Sequence, residues 1–298
     1  LLTAGTPRTA LTYDEPSHLA SGYAALARGQ DGLWTMQHRG HPVLVDVWAA
    51  LPLFVGAPDL AVEAMPGWQH DYKAYVRAFM KAVGPLSVVE IAGRVPTALI
   101  TLLLSATVYA WAQRLTQGRS GWLALAVLAF DPNLLGHGRL ATNDVGVTAL
   151  GTLGLFMCWR WKERKVESLP ATVGRAAAAG VVLGLTCLAK ASGVIWLSVA
   201  LLYAFFAGGK TTFNQRHAVR VMVLAVTAGL TLWAGYGFSW GPIAELEGLA
   251  VPAPLHWQTI FFQTASADQR LAYALGRLKM GGWWWYFPLT FALKTPLP

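Results

Sequence analysis

Charge is scarce in this sequence. Only 13% of its 298 residues are Asp, Glu, Lys or Arg, roughly half the share found in soluble domains. Beside 55% hydrophobic residues and 12% aromatics, that scarcity excludes a disordered chain and argues against a cytosolic enzyme. Cysteine is scarcer still: Cys158 and Cys187 are the two present. Both sit inside apolar runs and neither belongs to a C-x-x-C pair, so they read as small buried hydrophobes, not as metal ligands or a disulfide. A Gly-rich nucleotide-binding motif is absent. So is any internal repeat, which leaves an inverted-repeat transporter without support.

What the sequence has instead is apolar runs of about twenty residues, the length that crosses a bilayer core. They predict an all-α polytopic membrane protein. Spans are expected at 88–112, 121–133, 145–161, 176–188, 194–207 and 219–238, with a further one beginning at Trp283. Pro96 should kink the first. The chain then divides into an outer-face segment at 1–85, a bundle of about six spans at 86–240, an outer-face loop at 241–282 and the start of another span at 283–298. Within the first segment, 46–51 and 72–83 read as amphipathic surface helices. The chain opens on Leu1-Leu2-Thr3 and stops at Leu297-Pro298 inside an apolar segment, so a signal peptide or a first membrane helix is expected upstream, and both ends are expected to be the edges of a fragment.

The net charge of +8 does not point to nucleic acid, because the basic residues form no stripe or face. Between the apolar runs they collect mostly in alternate short loops: Arg114 and Arg119, then Arg160, Lys162, Arg164, Lys165 and Arg175, then Lys210, Arg216 and Arg220. The intervening loops hold only Arg139 and Lys190. Cytoplasmic loops collect Lys and Arg. The segment at 12–85 and the loops at 131–144, 190 and 239–282 therefore belong together on the outer face of the cytoplasmic (inner) membrane. Glu163 and Glu167 are the acids left on the cytoplasmic side.

The costly polar residues converge on that outer face. Tyr13-Asp14-Glu15-Pro16-Ser17-His18 is doubly acidic, Gly138 to Asp144 brings Arg139 and a third carboxylate, and Leu188 to Gly193 brings Lys190. Carboxylates beside a cation suit a reaction in which a base activates an acceptor hydroxyl and a cation steadies a departing phosphate. Each residue also has a plainer reading. Asp14 and Glu15 fit a helix cap, as does Asp144, and Lys190 fits a snorkelling anchor. His18 and His41 are open to substrate contact or, with His38, Asp14 and Glu15, to a divalent-metal site, although the spacing is irregular. His41-Pro42 also fits a chain break before a surface helix, and Trp283 to Tyr286 an interfacial aromatic belt.

These motifs carry a family resemblance. Asp14-Glu15 with Gly22-Tyr23, His41-Pro42-Val43-Leu44 and Leu51-Pro52-Leu53, then 138–144, 188–193, Gly282 to Pro288 and Leu293 to Pro296, resemble in order the membrane glycosyltransferases of the GT-C superfamily. The likeness is to the protein O-mannosyltransferases and the lipid A aminoarabinose transferases. His41-Pro42-Val43 departs from the His-Pro-Pro common there. The resemblance implies a GT-C-like helix bundle that moves a sugar from a polyprenyl-phosphate lipid to a protein, lipid or glycan acceptor, with inversion at the anomeric carbon. Asp14 would be the base, Glu15 its assistant, Asp144 the second acid, and Lys190 with Arg139 the phosphate contacts. A divalent cation stays open, since the group has metal-free and metal-assisted members. The alternative is a catalytically silent subunit that serves as an assembly partner in a membrane complex.

Overall fold

The computed structural model describes residues 10–163, 168–206, 215–266 and 269–295. Arg164, Lys165, Glu167, Lys210 and Pro296, along with both chain ends, lie outside the described residues. The chain is 72% helical with almost no sheet, an all-α membrane protein. Among the described residues, three helices are long and apolar enough to cross a bilayer: Leu86–Leu115, Leu169–Ala189 and His217–Gly235.

A layer of short helices precedes the bundle. Helix α1 (Glu15–Arg28) starts at Asp14 with Pro16 in its first turn, where a missing N–H costs nothing. It stops at Gly29, whose φ of 53° suits glycine. Helix α2 (Thr35–Arg39) ends on left-handed Gly40, and the His41-Pro42 break leads into α3 (Leu44–Gly56). Helix α4 (Tyr72–Ala82) is capped by the Asp71 carboxylate, which accepts from the Ala74 N–H at 3.0 Å. The surface helices expected at 46–51 and 72–83 are thus α3 and α4. Leu19, Tyr23, Tyr75, Phe79 and Val89 form the buried core that fixes this layer to the bundle. Gly22 lets α1 lie directly on α3: a Cβ there would meet the Asp46 carbonyl oxygen at 2.0 Å.

The bundle begins with α5 (Leu86–Leu115), which runs through Pro96 as one helix; the Trp48 indole donates to the Pro96 carbonyl at 2.9 Å. The run expected as a second span at 121–133 is divided. Helix α6 (Gly121–Ala129) stops, and Asp131 caps α7 (Pro132–His137) by accepting from the Leu134 N–H. Nine residues rise about 14 Å, half the thickness of a hydrocarbon core. Helices α8 (Asp144–Trp159), α9 (Leu169–Ala189), α10 (Gly193–Phe206) and α11 (Gln215–Gly235) complete the bundle. Of these, α8 and α10 are apolar but short for a full crossing. Gly180 and Gly184, one turn apart on α9, bring it against α11; a Cβ on Gly180 would meet the Leu224 carbonyl oxygen at 2.6 Å, and one on Gly184 the Ala228 carbonyl oxygen at 2.6 Å. Small residues spaced this way allow close helix contact in lipid. On α5, Ile91, Val95, Leu99 and Leu102 form an exposed apolar face, as lipid requires.

The segment at 241–282, expected only as a loop, carries structure. Strands β1 (Trp240–Ile243) and β2 (Leu249–Pro252) form an antiparallel pair with Trp240 opposite Pro252. Helix α12 (Pro254–Ala265) follows, then a second hairpin of β3 (Leu271–Ala274) and β4 (Arg277–Met280). The run beginning at Trp283 forms α13 (Tyr286–Lys294), preceded by a fully turned-out Trp284.

Candidate active site

Every sequence-selected polar residue lies at one end of the bundle, where α1 to α4, the 138–144 loop, the α9–α10 turn and α12 meet. Glu15 is buried and fully engaged. Arg94, from the first third of α5, donates to its two oxygens from Nε at 2.8 Å and Nη2 at 2.7 Å. The Thr12 and Ala141 backbone N–H groups donate at 2.7 and 3.0 Å. Burial alone raises this carboxyl, but the bonds from Arg94, Thr12 and Ala141 outweigh it and hold Glu15 below the usual carboxylate range. One side chain therefore ties α1, α5 and the 138–144 loop together.

Its neighbour Asp14 is exposed and makes no capping hydrogen bond. The cap reading of the sequence thus does not describe this carboxylate. Asp14 sits within electrostatic range of Arg39, which belongs to a second buried cluster. In that cluster Asp46, from the first turn of α3, is ion-paired to Arg39 and lies 2.6 Å from His18 Nδ1. Burial again works against the charge, and the Arg39 and His18 partners again prevail, so Asp46 also stays below its ordinary range. Tyr72 closes the cluster: it stacks on His38 and donates to the Ser17 carbonyl at 3.1 Å.

Asp144 opens α8 and makes no cap; its carboxylate accepts instead from Lys190 Nζ at 2.5 Å. Lys190 can reach it because the residue leaves α9 in an extended conformation (φ −158°, ψ 148°). His137 and His18 lie in electrostatic range of Asp144. His41 is half-buried beside the Gln263 amide, which donates to the Arg39 and Gly40 carbonyls at 3.2 and 3.0 Å. Burial, then the charges of Arg39 and Lys190, push His41 down to about 4, so it is neutral at physiological pH. In the 138–144 loop three buried polar atoms have no protein partner: Arg139 Nε, Thr142 Oγ1 and Asn143 Nδ2.

No three metal-binding side chains are grouped to hold an ion among the described residues. Of the donors expected around His18 and His41, Glu15 is taken up by Arg94, and His18 lies against Asp46 and Arg39. Sequence reading passed over Arg94, Arg39, Asp46 and Gln263. Arg94 had a usable signal, being an ionisable residue inside an apolar run.

The bundle and its charged end define a helical membrane protein whose sequence-selected polar residues gather at one end of the bundle. The family model described as dolichyl-phosphate-mannose-protein mannosyltransferase matches residues 65–229, more than half of the chain, and the chain belongs to that family, within the GT-C superfamily. The match takes in Arg94, Arg139, Asp144 and Lys190 and leaves Asp14, Glu15, His18 and His41 outside it. No curated protein and no solved structure matches the chain. The family's donor is a polyprenyl-phosphate sugar and its acceptor a protein in the membrane.

Proposed function

We propose that this protein is an inverting glycosyltransferase of the cytoplasmic membrane that takes a sugar from a polyprenyl-phosphate lipid at the outer face. Asp14 accepts the proton of an acceptor hydroxyl. The hydroxyl oxygen forms its bond to the anomeric carbon as the bond from that carbon to the lipid phosphate breaks, and the electron pair leaves with the phosphate. Lys190 and Arg139 steady that negative charge, Lys190 as a point charge shared with Asp144. Thr142 and Asn143 supply further donors, since their side-chain polar atoms are buried without a protein partner. Glu15 acts by position, holding the turn that presents Asp14.

The observation that carries this reading is the contrast within Asp14-Glu15: one carboxylate is exposed and uncapped, the other locked by four hydrogen bonds. The test is Asp14→Asn, assayed by transfer of labelled sugar from polyprenyl-phosphate donors in membranes lacking the wild-type copy. Loss of a general base costs about 10²–10⁴-fold, so transfer should drop at least about a hundredfold with the protein present at wild-type level. Undiminished transfer would remove Asp14 from the mechanism. A wild-type protein inert towards every such donor would favour the silent assembly subunit.

A further inference from the structure

The hairpin of β3 and β4 is built with its apolar side facing out. Residues opposite one another across an antiparallel pair share a face, and neighbours along a strand alternate between faces. Leu271 stands opposite Met280 and Tyr273 opposite Leu278, so these four form one face, and each is more than half exposed. The other face carries Ala272 opposite Lys279 and Ala274 opposite Arg277. The chain folds back on that second face: Ala274 is buried, a Cβ on Gly282 would lie 3.3 Å from the Ala272 Cβ, and the Lys279 ammonium stands 5.9 Å from the Trp283 ring centroid. At the turn, Leu275 holds a φ of 48°, a left-handed conformation that Asn or Gly adopts at less cost. A polar residue would suit both the turn and water. A leucine there, 72% exposed, makes the tip apolar as well.

We infer that this face rests on the bilayer, with Leu271, Tyr273, Leu278 and Met280 among the lipid and Arg277 and Lys279 directed toward the headgroup phosphates. A two-stranded hairpin alone is marginal in water, and an outward apolar face calls for a cover. Lipid is the cover that the surroundings favour. Trp283 and Trp285 follow the hairpin, stacked with centroids 5.0 Å apart, and Trp and Tyr collect at headgroup depth. Helix α13 then exposes Phe287 and Phe291, so the apolar surface does not end with the hairpin. Residues 271–280 carry two bases and no acid, the sign that anionic headgroups attract. Depth is limited, because both strands are sheet edges whose outward N–H and C=O groups need water. Four residues also extend only about 13 Å, so the hairpin lies along the interface and does not span. Its base is tied to the candidate site: the Gly281 N–H donates to the Arg270 carbonyl at 2.9 Å, and the Arg270 guanidinium donates to the Gln263 side chain at 2.5 Å. The hairpin thereby sets the height of α12 and the Arg39–His41 turn above the lipid. The inference rests on the membrane reading alone, not on the transferase mechanism.

The test places nitroxide labels on the full chain in nanodiscs of mixed phosphatidylcholine and phosphatidylglycerol. Labels enter through Tyr273→Cys, Leu278→Cys, Arg277→Cys and Lys279→Cys, each in a Cys158→Ala/Cys187→Ala background. Collisions with oxygen, which concentrates in lipid, are compared with collisions with a water-soluble nickel chelate. Positions 273 and 278 should favour oxygen and read a depth of about 5–10 Å, where an interfacial apolar face settles. Positions 277 and 279 should favour nickel, which gives an alternation of period two along β4. Two positions on each face keep the comparison readable if one variant fails to fold. Nickel access at 273 and 278 equal to that at 277 and 279 would put the whole hairpin in water and overturn the inference. Protection of 273 and 278 from both reagents would overturn it too, by marking a face covered by protein, whether a second copy or an acceptor. Sugar transfer is not read, so failure of the transferase mechanism and failure of the lipid contact stay separate results.

Discussion

Two ion pairs at the same end of this molecule differ in what surrounds them. The Glu15–Arg94 side chains are 0% and 2% exposed, and backbone N–H groups fill the remaining acceptor sites. The Asp144–Lys190 side chains are 54% and 25% exposed and share a single contact. A pair of the first kind holds three parts of the chain in register, because neither member can separate without leaving a buried charge. A pair of the second kind has water as an alternative partner and is free to open toward a ligand. Burial, more than residue type, separates the scaffold from the groups available for chemistry.

The largest effect should therefore come from Arg94→Met. It strands the Glu15 carboxylate in the core, and breaking one side of a buried pair costs about 3–5 kcal/mol. Thermal unfolding in detergent measures it. Adding Glu15→Gln to that variant should recover much of the loss, since the uncompensated charge is gone. A loss below about 1 kcal/mol would put Glu15–Arg94 in the same class as the exposed pair and break the comparison.

The acid limb of stability should come next. His41 and His256 both have ring pKa values held at about 4 in the folded protein, against an ordinary 6.5, with burial the first cause for each. The unfolded chain takes up these protons first, so stability is intact above pH 6.5 and falls as the pH drops toward 4. Each histidine contributes roughly 3 kcal/mol at most. Glu15 and Asp46, whose folded values lie below 4.5 and 3.8, lose their contributions only below those values. Unfolding midpoints across pH 7 to 4 should show a decline that His256→Gln makes shallower; an unchanged slope would mean that burial of this ring does not govern the acid response.

Much of this organisation was legible in the sequence, for physical reasons. Apolar runs survive in any bilayer-crossing helix, so α5, α9 and α11 stood out. The polar motifs carrying Asp14, Asp144 and Lys190 were legible because a charge near a membrane is costly and seldom incidental. The internal partners were not. Arg94 was absorbed into a run that is apolar on average, and only the fold brings it to Glu15, 79 positions away. Asp46 looked like an ordinary first-turn acid, and its burial depends on Gly22 admitting α3 against α1. The α6–α7 break was missed because Leu and Ala continue up to Phe130, while the cap at Asp131 interrupts the helix without interrupting the hydropathy.

The smallest effect on stability should belong to Asp144–Lys190, and it is the sharpest test of the comparison. Exposed pairs couple by about 0–1 kcal/mol, because water and salt compete for both charges. A double-mutant cycle with Asp144→Asn and Lys190→Met should give a coupling energy in that range by thermal unfolding. Sugar transfer should respond differently. Lys190→Met removes the charge proposed to meet the departing phosphate, and activity should fall by more than about tenfold, since one hydrogen bond to a charged group is enough for that. Lys190→Arg keeps the charge but replaces a point donor with a planar fork, so it should retain part of the activity at unchanged stability. Two outcomes would reverse the assignment. A coupling energy near 3 kcal/mol would make this pair a second structural clamp, and full transfer in Lys190→Met would leave Arg139, Thr142 and Asn143 as the groups that meet the phosphate.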